Sequence, residues 1–140
     1  METERIFADT NLFLRYLTND VPEQAEAFEK LIQKASRGEL ELVTNVMVIA
    51  ELVWTLESYY RLPRQDIRDK VLAMLNTPGL EVVEEELILP AIIWYQEKNV
   101  DFIDAYNAAW LVEYKLDTVC TFDRKHFARI DGIKVLVPGS

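Results

Sequence analysis

The sequence has little of what several classes of protein depend on: it contains one cysteine, one histidine and no long hydrophobic run. Cys120 alone excludes a disulfide within the chain and a metal site built from several cysteines. No apolar stretch reaches the roughly 18 residues that a membrane-spanning helix needs. The first residues also lack the basic and then apolar segments of a signal peptide. We therefore expect a cytoplasmic protein that does not use a membrane as a partner.

Positive charge is also scarce. The 140 residues include 24 acids against 15 Lys and Arg, which gives a formal net charge of −9. Taken alone, this charge disfavours binding of nucleic acid through phosphate neutralisation. Acids gathered around bound cations would be locally much less negative, however, and an acidic surface also suits a basic protein partner. Because 50% of the residues are hydrophobic, we expect one folded domain that spans residues 1–140.

Short apolar segments alternate with segments of helical periodicity along the whole sequence. Strands are predicted at Ile6–Ala8, Leu40–Thr44, Leu80–Val83, Thr118–Thr121 and Lys134–Val137. Helices are predicted at Asn11–Leu17, Glu23–Ser36, Val46–Tyr60, Arg64–Leu75 and Leu87–Lys98, with a sixth that ends near Lys115. This alternation favours βαβ units and predicts an α/β fold with a short, mostly parallel sheet covered on both faces.

Four acids lie next to apolar residues. Asp9 and Asp123 each follow a predicted buried strand, where open α/β sheets bind ligands, although an Asp at that point can also cap a helix. Glu51 and Asp104 lie on predicted helices that are otherwise mostly apolar. Burying four unpaired carboxylates would be prohibitive without a compensating cation. We therefore predict that they converge on Mg²⁺ or Mn²⁺, which prefer carboxylate oxygen and assist phosphodiester cleavage.

Some polar residues near these acids have two readings. Asn11 can contact the neighbouring acid or simply begin a helix. Asp101 lies three residues before Asp104, so it can cap the helix, or it can share a helix face with Asp104. His126 lacks the partner that zinc or acid–base chemistry needs, and we expect it to be a surface or packing residue. Cys120 is expected to be an inert residue of the core.

Four segments resemble, in their order, the motifs of PIN-domain ribonucleases. They are IFADTN at residues 6–11, VIAEL at 48–52, DAYNAA at 104–109 and TFDRKHF at 121–127. Their order and spacing are also similar to those of the short VapC toxins of prokaryotic toxin–antitoxin operons. The likeness covers essentially the whole chain. It implies a single three-layer α/β/α domain with metal-dependent endoribonuclease activity.

The resemblance also implies roles for individual residues. The family's acidic positions correspond here to Asp9, Glu51, Asp104 and Asp123. Of these, Asp9 and Asp104 would be the firmest ligands of Mg²⁺ or Mn²⁺. The other two would complete the cluster, by direct ligation or by holding water on the metal. Thr10 and Thr121 would donate hydrogen bonds that fix the carboxylates.

The same resemblance implies the partners: an RNA substrate, a second copy of the chain, and a small antitoxin whose peptide covers the site. An acidic groove would accept an arginine from such a peptide. Two other functions stay open, a PIN-like domain that binds RNA or protein without cutting, and a metal-dependent phosphohydrolase or DNase. Phosphohydrolases of the common aspartyl-phosphate type carry a second Asp two residues after the first. Asn11 stands at that position here, which argues against this type.

Overall fold

The computed structural model describes residues 3–139 of the chain. It divides into two compact units, Met1–Glu84 and Glu85–Ser140. The first unit contains, in order, β1 (Arg5–Phe7), α1 (Thr10–Thr18), α2 (Pro22–Ser36), β2 (Glu41–Thr44), α3 (Val46–Ser58), α4 (Arg64–Leu75) and β3 (Leu80–Val82). The second contains α5 (Glu85–Glu97), α6 (Phe102–Glu113), β4 (Thr118–Cys120), a 3-10 turn (Phe127–Arg129) and β5 (Lys134–Leu136).

The first unit is built on a three-stranded parallel sheet in the order β1-β2-β3. In its register Ile6 lies opposite Leu42, and Thr44 lies opposite Val82. Parallel strands require a crossover between them, which the helices supply. The core of this unit contains the edge-to-face ring pair Phe13–Phe28 and the fully buried side chains Leu42, Ile49, Leu52, Leu56, Ile67 and Val71.

Local sequence explains where the helices of the first unit begin and end. Pro22 occupies the first turn of α2, where its missing N–H costs nothing. The side chain of Asn45 caps α3 by accepting a 3.2 Å hydrogen bond from the N–H of Val48. Gly38, with φ of +80°, follows the end of α2 in the left-handed conformation that favours glycine. These signals account for helix boundaries that agree with the prediction within two residues.

The second unit consists of two helices and a small parallel sheet. Helices α5 and α6 bury their apolar faces against each other, with side chains that include Ile88, Ala91, Ile92, Tyr95, Ala105 and Ala108. Strand β4 pairs with β5 in parallel, and Val119 lies opposite Val135. The α/β class and the parallel strand pairing that we predicted are therefore confirmed.

Two expectations about burial are wrong. We expected β1 to be buried, but Phe7 on this strand is 55% exposed. We also expected Cys120 in the core, but β4 belongs to a two-stranded sheet and Cys120 is exposed. In the part of the chain that the structure describes, no helix is both long enough and apolar enough to cross a membrane.

Candidate active site

Asp9 is the N-cap residue of α1 and follows β1 and the connecting residue Ala8. Its backbone is extended and its side chain, which forms no capping hydrogen bond within residues 3–139, is exposed. The preceding peptide is fixed on both sides, since the N–H of Ala8 donates to Val43 O at 2.8 Å and the hydroxyl of Thr44 donates to Ala8 O at 3.0 Å. The sheet therefore holds the backbone beside Asp9 while its carboxylate stays free to bind a ligand.

The neighbours of Asp9 take different positions. Thr10 is 2% exposed and therefore lies inside the fold. Asn11 is exposed on the first turn of α1 and lines a groove of about 410 Å³ beside α2, together with Leu12, Arg15, Gln24 and Phe28.

Glu51 is exposed, contrary to the prediction that α3 would bury it. Leu52 and Val53 beside it are buried, but Glu51 shares a helix face with Met47, four residues before it, and Trp54, three residues after it. Those two side chains are 73% and 68% exposed. Helix α3 is therefore apolar on nearly every side, since apolar residues occupy its exposed face as well as its buried one.

Asp104 lies on the first turn of α6 and is the partly buried acid of the predicted set, with 27% of its side chain exposed. Burial raises the pKa of its carboxyl, a hydrogen bond from His126 opposes that rise, and the charges of Asp101 and Asp123 add to it. Within this unit, two neighbouring acids therefore oppose the ionisation of Asp104.

His126 contacts Asp104, contrary to the expectation of a surface or packing residue. Its Nδ1 lies 3.0 Å from Asp104 Oδ2 and 3.2 Å from the backbone N–H of Asp101. Asp101 occupies the N-cap position of α6, but its side chain forms no capping bond in the described chain. Its backbone N–H can donate to His126 Nδ1 only in the ring form that carries no hydrogen on that nitrogen. The position of His126 inside the TFDRKHF segment, three residues after Asp123, was the signal that could have identified it.

Thr121 and Asp123 are tied together by the turn that follows β4. Thr121 Oγ1 accepts the N–H of Asp123 at 3.0 Å, and Asp123 Oδ1 accepts the N–H of Lys125 at 2.9 Å. Thr121 thus holds the backbone of Asp123, whereas we expected it to donate to a carboxylate. The second bond is an Asx-turn, which fixes the carboxylate relative to its own backbone. Asp123 remains exposed and can still reach a ligand through its other oxygen.

The set of acids is less buried than predicted. Asp9, Glu51 and Asp123 are exposed, so the cost of burying their charges is no longer an argument for a bound cation. Within neither unit do the described residues bring three or more His, Cys, Asp or Glu side chains into a group that could hold a metal ion. The predicted ligands all carry carboxylate oxygens, which Mg²⁺ and Mn²⁺ prefer.

Comparison with known proteins places these residues in a family context. The family model described as PIN domain matches residues 6–133, a range that includes all four acids. The chain is also 28% identical over 130 residues to a VapC ribonuclease from Aquifex aeolicus (strain VF5), which covers 93% of this chain and 94% of that protein.

Solved structures show similarity at lower identity. A toxin–antitoxin complex from Klebsiella pneumoniae is 20% identical, with 95% of this chain and 96% of that chain covered and a TM-score of 0.33. VapBC2 from Rickettsia felis, bound to a DNA fragment from its promoter, is 14% identical, with 95% and 98% covered and a TM-score of 0.39. VapC20 from Mycobacterium tuberculosis, a toxin that cleaves the sarcin–ricin loop, is 20% identical, with 88% and 93% covered and a TM-score of 0.36.

Proposed function

We propose, from the premise that the chain belongs to the PIN domain family, that it is a Mg²⁺- or Mn²⁺-dependent endoribonuclease. We propose further that it is the toxin of a VapBC-type toxin–antitoxin pair and that residues 1–140 work as one nuclease domain. The observation that carries the proposal is the occurrence of four acids, in the family's order, within the matched range. A relative of 28% identity that is named a VapC ribonuclease supports it.

In this proposal Asp9, Asp104 and Asp123 would hold the cation, and Glu51 would complete the set. A divalent cation supplies charge for the phosphate and lowers the pKa of water. Carboxylates must be ionised to ligate, so a cation at Asp104 would compete with the proton that its raised pKa favours, and binding there should strengthen as pH rises. The hydrogen bonds around Asp123 and the sheet contacts beside Asp9 support the proposal, since they fix the backbone on which the carboxylates are mounted.

The proposed partners follow from charge and exposed surface. A net charge of −9 suits a small antitoxin with basic residues in the segment that reaches the carboxylates. The exposed side chains of Met47, Trp54 and Tyr59 form apolar surface of the kind that protein contacts cover, which supports a homodimer. A toxin that cuts cellular RNA would act in the cytoplasm, and we include that location in the proposal.

The direct test is RNA cleavage by the purified chain, free of any antitoxin. With millimolar Mn²⁺ the protein should cut a long single-stranded RNA, and chelation of the metal should stop it. Asp9→Asn should be inactive, whereas Glu29→Gln, which changes an exposed acid on α2, should cut like the original protein. Equal cleavage by Asp9→Asn and the original protein would contradict the proposed mechanism.

The exposed apolar face of α3 favours a second candidate function, the binding of RNA or protein without cleavage. Such a protein would retain single-stranded RNA at low salt yet leave it intact with any divalent metal. A DNase or a phosphohydrolase would show itself in the same assay by metal-dependent cutting of DNA or release of phosphate from small esters while the RNA remains whole.

A further inference from the structure

His126 is the only histidine of the chain, and its ring lies against the most buried of the proposed metal ligands. We propose that His126 is a positioning residue for Asp104: its Nδ1 holds Oδ2, so that the carboxylate presents Oδ1 to the divalent cation. This inference rests on the proposed function, because it assumes that Asp104 ligates the metal. It adds a residue that acts through another side chain and touches neither metal nor RNA.

The backbone of His126 is firmly held, as a positioning role requires. The residue directly precedes the 3-10 turn as its N-cap, and its carbonyl accepts the N–H of Arg129 at 3.1 Å. The next side chain, Phe127, is 6% exposed and anchors the turn in the core of its unit. The guanidinium of Arg129 donates to the carbonyl of Asn99, just before α6 begins. The turn is thus bound to the same end of α6 that carries Asp104.

The contact is also sheltered from water. The side chains of His126 and Asp104 are 24% and 27% exposed, so solvent competes less with their hydrogen bond than it does at the surface. A fully exposed pair of this kind would contribute little. A carboxylate that accepts a hydrogen bond on one oxygen loses rotational freedom, and its other oxygen is fixed in direction.

The imidazole has two possible partners at one nitrogen. The N–H of Asp101 can donate to Nδ1 only when Nδ1 carries no hydrogen, whereas an ionised Asp104 needs Nδ1 to carry one. A ligating carboxylate is ionised, so the positioning contact corresponds to the Nδ1–H form of the ring. The N–H of Asp101 then serves as the alternative partner that keeps the ring in place when the contact is absent.

Two substitutions of His126 distinguish positioning from simple packing. In His126→Asn the amide nitrogen lies the same number of bonds from the backbone as Nδ1, so it can still donate to Asp104. In His126→Gln the amide nitrogen corresponds to Nε2 and the contact is lost. The Mn²⁺ dissociation constant of the full chain, measured by calorimetry at one pH, should rise ~10-fold or more in His126→Gln and ~3-fold or less in His126→Asn, since loss of a ligand's hydrogen-bond partner typically costs about 10–100-fold.

Two further variants separate this inference from the proposed function. Asp104→Asn should lose Mn²⁺ binding, and Glu113→Gln, an exposed acid at the other end of α6, should bind like the original protein. If Asp104→Asn binds Mn²⁺ normally, or the original protein binds none, both the metal site and the inference are overturned. If Asp104→Asn loses binding but His126→Gln does not, or if both His126 variants lose it equally, the inference alone is overturned.

A spectroscopic readout keeps the test decisive if His126→Gln folds poorly. Because the chain has one histidine, its imidazole ¹⁵N signals need no assignment. Adding Mg²⁺ to the original protein should move them toward the Nδ1–H form with the dissociation constant that calorimetry gives for Mg²⁺. Signals that stay unmoved through saturation would contradict the positioning role.

Discussion

The hydroxyl of Thr44 donates a 3.0 Å hydrogen bond to the carbonyl oxygen of Ala8, the residue before Asp9. Thr44 is fully buried at the end of β2, so this bond is shielded from water. Together with the bond from Ala8 N–H to Val43 O, it joins the central strand of the sheet to the peptide that carries the candidate ligand. The residue that holds the peptide before Asp9 in place is therefore on another strand, 36 positions from Ala8 in sequence.

Thr44→Val should destabilise the first unit. Valine has nearly the shape of threonine but cannot donate, and a buried carbonyl left without its partner costs about 1–3 kcal/mol. The free energy of unfolding in urea should fall by that amount in Thr44→Val. It should fall by less in Thr44→Ser, which keeps the hydroxyl. If the valine variant is as stable as the original protein, the bond to Ala8 does not contribute to stability.

Gly79→Ala should destabilise the protein more than Gly38→Ala. Both glycines have positive φ, at +83° and +80°, and alanine pays ~1–2 kcal/mol in that conformation. A Cβ on Gly79 would also overlap the backbone carbonyl of Ala35, whereas a Cβ on Gly38 meets no atom within 4 Å. The difference in unfolding free energy should be a further ~1–3 kcal/mol. Equal losses in the two variants would contradict the close approach of Gly79 to α2.

The elements of the fold were predictable because their signals are local. Asn45 before an apolar segment, Pro22 in a first turn and Gly38 after a last turn each mark a helix end through their own backbone chemistry. Alternation of short strands with helices was enough to predict parallel pairing. Burial of the strands was not predictable, because the exposure of Phe7 and Cys120 depends on the packing of the fold and not on their local sequence.

The residues of the candidate site could be predicted from the sequence, but their exposure and their contacts could not. Family motifs identify Glu51 and Asp123, but their exposure depends on which helix or turn face points outward. The contact between His126 and Asp104 joins residues 22 positions apart through the 3-10 turn, so the motif that contains His126 does not reveal its partner. Asp101 stands at the N-cap position as its sequence suggested, yet its side chain forms no capping bond in the described chain.

The raised pKa of Asp104 gives stability a definite dependence on pH and metal. A carboxyl whose folded pKa lies above its unfolded value favours folding at pH below the unfolded pKa, and this contribution is lost as pH rises through the folded pKa. Without metal, Asp104→Asn should therefore raise the unfolding free energy at neutral pH, and this gain should shrink toward pH 3.

With metal bound, the original protein should become more stable than Asp104→Asn. At a Mg²⁺ concentration tenfold above its dissociation constant, the original protein gains about 1.4 kcal/mol by mass action, and Asp104→Asn gains much less. Thermal melting with and without Mg²⁺ measures both effects. A variant that gains as much from Mg²⁺ as the original protein would rule out Asp104 as a ligand.

Asp20 and Tyr60 form a second pH-dependent pair. The phenol donates a 2.6 Å hydrogen bond to Asp20 Oδ2, which lowers the pKa of Asp20 and raises that of Tyr60. The contribution of Asp20 to the free energy of unfolding is present above its unfolded pKa and is lost as pH falls through its folded pKa. The contribution of Tyr60 to the free energy of unfolding is present below its unfolded pKa and is lost as pH rises through its folded pKa.

Tyr60→Phe should accordingly lower the melting temperature most at neutral pH and least at both extremes. Tyr59→Phe is the matched control, because Tyr59 packs against the ring of Tyr60 but is itself 76% exposed. Its melting temperature should follow the original protein across the whole pH range. A Tyr60→Phe deficit that does not vary with pH would mean that the hydrogen bond is not what stabilises this region.

The central claim is that Asp9, Glu51, Asp104 and Asp123 act as one metal-dependent site on RNA. Its most direct measurement is the single-turnover rate of cleavage of one labelled RNA with Mn²⁺, in the four single amide variants and in the double variant Asp9→Asn/Asp104→Asn. Groups that act as a unit are non-additive, so each single change should cost ~100-fold or more and the double variant should be no slower than the worse single one. Losses that multiply in the double variant, or a single variant that cuts at the original rate, would contradict the claim.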